Sequence, residues 1–158
     1  MTSVKSAIAP ILASLALGAV AHADSAPRPN PFAKYADPNG VVLAVETPFT
    51  DATGAVRLTV YEDEPTFLEE AAAKYQAPID ADGVAILRLG ALKKGDYAFV
   101  AYYDENGDGK LNRGKIIGRP KEPLAFSNGV KPKLRKPRFD EAKVEVTPGS
   151  VVVLTIDD

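Results

Sequence analysis

The sequence predicts an all-β fold, a single Greek-key β-sandwich with one short helix inserted near residues 67–75. Three observations predict it. Short runs rich in Val, Ile, Leu and Tyr alternate with clusters of Gly, Pro, Asn and Asp, the punctuation of strands and turns. From Tyr97 to Tyr103 every residue is apolar or aromatic on both alternating faces, as in a central strand covered on each side. Just before it, Leu92-x-x-Gly95-x-Tyr97 has the form of a sandwich corner in which the tyrosine hydroxyl bonds back to the preceding loop, although a tyrosine that merely begins a strand spells the same letters.

The N-terminus sets the compartment. Residues 1–23 have the form of a secretory signal: Lys5 supplies the positive start, Ala7 to Val20 is an apolar run interrupted by Pro10, and Ala21-His22-Ala23 is a small-x-small cleavage site. The run is shorter than the roughly 20 residues that span a bilayer. We therefore expect cleavage after Ala23, a periplasmic or secreted protein, and no transmembrane segment in the remainder. No cysteine is present to carry a lipid anchor.

Removing that segment changes the available chemistry. The single His is His22, so residues 24–158 contain no His, Cys or Trp, and with Lys5 gone 18 basic residues face 21 acidic ones, a formal charge of −3 rather than −2. Zinc sites built on His or thiolate, Ser-His-Asp and Cys-His catalysis, and disulfides are all excluded. What remains is long enough for one domain with its own core.

Residues 24–39 form a proline-rich lead-in, Ala26-Pro27-Arg28-Pro29-Asn30-Pro31, read as a tether from which Phe32 and Tyr35 can pack back; the β-sandwich domain is residues 40–158. Val41 to Glu46 reads as a strand, residues 48–54 as a turn, and Val56 to Tyr61 as a half-exposed strand that ends at Glu62-Asp63-Glu64-Pro65. Thr66-Phe67-Leu68-Glu69 then has the form of a capping box, and Phe67, Ala71 and Tyr75 recur at four-residue spacing, which predicts the helix. Strands resume at Gly83 to Leu89. After the central strand, Lys115 to Gly118 reads as a brief strand and residues 119–141 as one long irregular loop, a length usually reserved for function. Ala142 to Val146 and Val151 to Ile156 close the chain around a Pro148-Gly149 turn.

The central strand runs into Asp104-Glu105-Asn106-Gly107-Asp108-Gly109-Lys110-Leu111-Asn112, which carries the chemistry. Side-chain oxygens at every second residue can wrap a hard cation such as calcium. With Asp104 as ligand position 1, Asn106 and Asp108 fall at 3 and 5, the Lys110 carbonyl at 7 and Asn112 at 9, with Gly109 at the sharp turn. Position 12 is Lys115 and a strand precedes the loop, so this is no EF-hand, and affinity is expected near ~10⁻⁴–10⁻³ M, as in extracellular modules. Glu122 or Asp140, from the long loop, are candidates to complete the shell. The same Asn-Gly and Asp-Gly pairs also spell a plain turn.

A second feature is the basic run Lys131-Pro132-Lys133-Leu134-Arg135-Lys136-Pro137-Arg138. Its Lys131, Lys133, Arg135, Lys136 and Arg138 are candidates for contact with an anionic partner, or else a solvated loop. Without interleaved aromatics, nucleic acid is not the expected partner. Carboxylate pairs such as Asp140-Glu141 or Glu62 with Glu64 leave a carboxylate-dependent hydrolase as a third reading.

Four blocks carry a resemblance. They are Tyr61 through Leu68; Gly95-Asp96-Tyr97-Ala98 leading into Asp104 to Asn112; Gly118-x-Pro120-x-Glu122 followed by Phe126-Ser127-Asn128; and Pro137-x-Phe139-Asp140-Glu141-Ala142. Together, over roughly Val56 to Ile156, they resemble the DUF2141 family of exported bacterial proteins. The resemblance implies a transthyretin/immunoglobulin-like, carboxypeptidase-regulatory-like β-sandwich and brings no established activity. The hydrolase lineage of the transthyretin-like fold relies on histidines and a C-terminal Tyr-Arg-Gly-Ser motif, neither of which occurs in residues 24–158. Ala125 departs from the family pattern, which usually has glycine there, and implies strain if that position needs a positive φ. The expectation is thus a non-catalytic exported binding or interaction module, stabilised by calcium in the 104–112 loop, whose ligand is a glycan or another envelope protein. The alternative is an ion-free structural accessory of the envelope acting through the basic run.

Overall fold

The computed structural model describes residues 29–50, 53–112, 120–131 and 135–157. The signal-like segment, the Lys115–Gly118 strand and Lys133 lie outside those residues. The fold is an all-β sandwich of two sheets. Strands β1 (Val41–Glu46), β4 (Val84–Gly90) and β8 (Val151–Thr155) form one sheet in the order β4-β1-β8. Strands β2 (Ala55–Tyr61), β3 (Ala73–Pro78), β5 (Gly95–Asp104), β6 (Leu124–Phe126) and β7 (Lys143–Val146) form the other. Among the described residues one α-helix, the four-residue α1 (Phe139–Ala142), leads into β7.

β5 is the axis of the larger sheet. One edge pairs with β2 from Ala98 to Asp104; the other pairs with β7 at Gly95–Ala98 and then with β6 at Val100–Tyr102. The changeover leaves Phe99 between the two partners. Ser127, fully buried, fills the gap: its Oγ accepts the Phe99 N–H at 2.8 Å and donates to the Ala142 carbonyl at 2.5 Å. A buried amide left unpaired here would cost about 1–3 kcal/mol, so the hydroxyl completes the ladder where no strand does.

Alternation along each strand decides which layer a side chain joins. Leu43, Val45, Leu58, Leu87, Phe99 and Leu154 meet between the sheets in the main core. Residues of β5 on the opposite face are buried as well. Ala98 and Val100 lie under a second apolar cluster containing Phe67, Phe126 and Phe139. Burial on both faces explains why β5 reads as an uninterrupted apolar run.

The predicted helix near residues 67–75 is not there. Asp63 Oδ1 accepts both the N–H (3.0 Å) and the hydroxyl of Thr66, so Thr66 donates where a capping box would have it accept. One turn follows, with Glu69 and Glu70 N–H groups bonding to the Thr66 carbonyl, and Leu68 at φ 65° breaks it. Ala73 to Pro78 instead pair with β2, burying Ala77 and half-burying Ala73 and Tyr75. The stretch read as one irregular loop contains β6 and α1, and the two closing strands fall in different sheets, so the Pro148-Gly149 turn links sheets rather than a hairpin.

The corner tyrosine is also another residue. Tyr97 stacks on Phe99 in the core, at 6.3 Å between ring centres. Tyr75 of β3 makes the tie, its hydroxyl donating to the Leu89 carbonyl of β4 at 3.1 Å and joining the edges of the two sheets. From Asn30 the lead-in lies against the three-stranded sheet: Asn30 Nδ2 donates to the Val151 carbonyl at 3.1 Å, Phe32 is buried, and Arg88 reaches the Tyr35 carbonyl.

Candidate functional site

The far end of β5 presents a polar site. Arg57 of β2 and Tyr102 of β5 are direct cross-strand partners, and so share the face turned away from the main core, with Leu124 on the other side of Tyr102. Two residues on, Asp104 takes the same face and is 0% exposed. Its Oδ2 accepts Arg57 Nε at 2.5 Å and the Gly109 N–H at 2.9 Å. Its Oδ1, equally buried, has no hydrogen-bond partner among the described residues. A carboxylate out of water needs this compensation, since removing one partner of a buried ion pair costs about 3–5 kcal/mol.

The loop closes over the pair. Gly109 has φ 77°, a left-handed conformation that suits glycine, and lies against the guanidinium: a Cβ there would stand 3.4 Å from both Cζ and Nη2 of Arg57. Asn106 Oδ1 accepts the Asp108 N–H at 3.0 Å and Asp108 Oδ1 accepts the Lys110 N–H at 2.8 Å, two successive side-chain-to-backbone turns. The Lys110 N–H, and then the Asn112 amide, hold the Asp108 carboxyl below the ordinary carboxylate range.

Glu122 joins from the long loop. It is buried, and Oε2 accepts the Asn112 N–H at 2.8 Å. The Asn112 side chain then stands at a meeting point: its Nδ2 lies 3.1 Å from Asp108 Oδ2, 3.4 Å from the Lys110 carbonyl and 3.5 Å from Glu122 Oε1. Burial pushes the Tyr102 phenol above its ordinary value; Arg57 opposes this, while Asp104, Glu122 and Asp108 add to it. Of the residues singled out from the sequence, Asp104, Asn106, Asp108, Lys110, Asn112 and Glu122 are therefore neighbours. Among the described residues no three of His, Cys, Asp or Glu form a group arranged to hold a metal.

A family model described as "Uncharacterized protein conserved in bacteria (DUF2141)" matches residues 47–153. The chain belongs to the DUF2141 family. No curated protein and no solved structure matches it.

The blocks that pointed to DUF2141 acquire physical roles. In Phe126-Ser127-Asn128, Phe126 packs over β5, Ser127 bridges β5 to Ala142, and Asn128, at φ 58°, donates to the Glu141 carbonyl at 3.0 Å. Ala125, in β6, pairs with Ala101 of β5 and is not among the residues with positive φ, so the strain its substitution implied is absent. The first and last blocks grip each other across the sheet: Glu64 Oε2 accepts the Phe139 N–H at 2.8 Å, and Phe67 meets Phe139 edge-on at 5.9 Å.

Asp140 does not reach the acidic loop. It sits on α1, paired with Lys143 at 3.0 Å, and Lys143 registers with Ala98. That is six residues from Asp104, roughly 20 Å along the strand. Three exposed cations of the basic run have acidic partners within the chain: Lys131 pairs with Asp157 (2.6 Å), Lys136 with Glu69 (3.3 Å), and Arg135 forms a two-pronged pair with Glu141 (2.6 and 2.8 Å). Arg138 gives its backbone N–H to the same Glu141. Sequence reading missed Arg57. Its only local signal was a polar position in the alternating strand Val56 to Tyr61, which reads as a solvent-facing residue.

Proposed function

We propose that this DUF2141 protein is a non-catalytic, exported binding module whose 104–112 loop, closed by Glu122, takes up calcium, and that a glycan or another envelope protein docks on the adjoining 119–138 region. The observation that carries the reading is the meeting of Asp108, the Lys110 carbonyl and Glu122 around the Asn112 amide nitrogen. An NH₂ group held between two carboxylates marks a point that favours positive charge. Turning that amide about its last torsion would present Oδ1 instead, giving four oxygens to which waters add, as calcium's six to eight ligands require. The exported compartment rests on residues 1–23, and the non-catalytic character on the absence of His and Cys beyond them. The internal pairing of Lys131, Arg135 and Lys136 favours this reading over one in which the basic run holds an anionic partner.

A thermal melt in EDTA and in millimolar calcium tests it. Ion binding to the native state alone adds about 1–2 kcal/mol at ten times Kd, a rise of several degrees that Asp108→Ala and Glu122→Gln should abolish. Equal midpoints in the two buffers would remove calcium from the reading.

A further inference from the structure

The inner end of the loop already holds a cation, and it belongs to the protein. Asp104 is fully buried, and the Arg57 guanidinium bonds one of its oxygens, with Gly109 folded over the guanidinium and donating to that same oxygen. The other oxygen, Oδ1, has no donor among the described residues. Asp104 is also the first ligand position of the loop's sequence pattern. The Arg57–Asp104 pair is neutral, whereas Asp108 and Glu122 bring two carboxylates to the outer end of the loop, where the Lys110 ammonium also acts on Asp108.

We infer that Arg57 is a built-in counter-ion that occupies the inner half of the loop's cation site and so sets its affinity for divalent ions. The inference rests on the loop being a cation site. With Arg57 in place, a divalent ion is confined to the rim formed by Asp108, Asn112 and Glu122, and binds weakly. With the guanidinium removed, Asp104 keeps the Gly109 N–H on Oδ2 and has no donor on Oδ1 among the described residues, and the ion moves inward to a richer ligand set. Arg57 is thus a positioning residue for the ion, not a ligand.

The experiment compares thermal melts and calcium titrations of the wild-type protein, Arg57→Gln, and the double variant Arg57→Gln/Asp104→Asn. In EDTA, Arg57→Gln strands a buried carboxylate and should melt lower by roughly 10 °C or more. Calcium should restore most of that loss, with binding at least tenfold tighter than in the wild type. The double variant, having no charge to strand, should melt above Arg57→Gln in EDTA and show no tightened binding. An Arg57→Gln chain that refolds only in calcium is the extreme form of the same result. Equal losses in EDTA and calcium, refolding in neither, or a double variant no more stable than the single one would overturn the inference. The two readings fail separately. A wild type indifferent to calcium beside a responsive Arg57→Gln defeats the proposed calcium function and leaves the role of Arg57 standing. A responsive wild type beside an Arg57→Gln that responds no better does the reverse.

Discussion

Two halves of one strand face are covered by opposite means. On the outer side of β5, Ala98 and Val100 lie under Phe67, Phe126 and Phe139, whereas Tyr102 and Asp104, a few residues on, lie under Arg57, Glu122 and the acidic loop. The backbone and its ladder are continuous across the boundary, with β2 paired throughout. The apolar half is held chiefly by burial and offers a metal ion no ligand. The polar half is held by charges that must be matched, and so can answer to ions.

The largest expected effect comes from breaking the apolar half. Phe139→Ala removes a ring that packs edge-on against Phe67, and should cost about 3–5 kcal/mol by chemical denaturation, with the same loss in EDTA and in calcium. A loss that depended on calcium would erase the distinction between the halves. Ser127→Ala strikes the joint between β6 and β7. It strands the Phe99 amide and the Ala142 carbonyl, at about 1–3 kcal/mol for each buried group left unpaired, and should speed hydrogen exchange at Phe99 while leaving the calcium response unchanged. The smallest effect sharpens the contrast by showing that the clasp over the apolar half has an electrostatic trim of its own. Glu141 is held down to about 2, chiefly by the Arg135 guanidinium and then by the Arg138 N–H. A depressed carboxylate stabilises fully above its ordinary value of 4.5 and loses that contribution as pH falls towards 2. Stability should therefore decline over that interval, and the decline should be shallower in Glu141→Gln.

The comparison also separates what was legible in the sequence from what was not. β5 was legible because burial on both faces abolishes alternation, and the turns of Asp104 to Asn112 were legible because Asx-type bonds are made within two residues. The helix failed where two local patterns competed. Phe67, Ala71 and Tyr75 match a helical spacing, but Ala73, Tyr75 and Ala77 alternate with Lys74 and Gln76, and pairing with β2 decides for the strand. β6, three residues long, exists only because β5 offers an edge there. Glu122 was visible as an acid within reach. Arg57 was not, because a contact between positions 57 and 104 leaves no periodic mark in either segment. The basic run was read from charge density, which reveals nothing of the acids at positions 69, 141 and 157 that pair with three of its cations.

The parallel seam between β1 and β8 has a kinetic consequence. Val42 stands opposite Val151, so nearly the whole domain separates the two sides of that ladder in sequence. Such distant contacts demand the most loop-closure entropy before any pairing is gained, and this seam should form late in folding. Until it does, β1 keeps a bare edge of unpaired amides and carbonyls, a template on which chains cross-pair. The protein is therefore most vulnerable to aggregation in the interval before its last strand docks, and Val151–Thr155 is the segment whose arrival ends that interval.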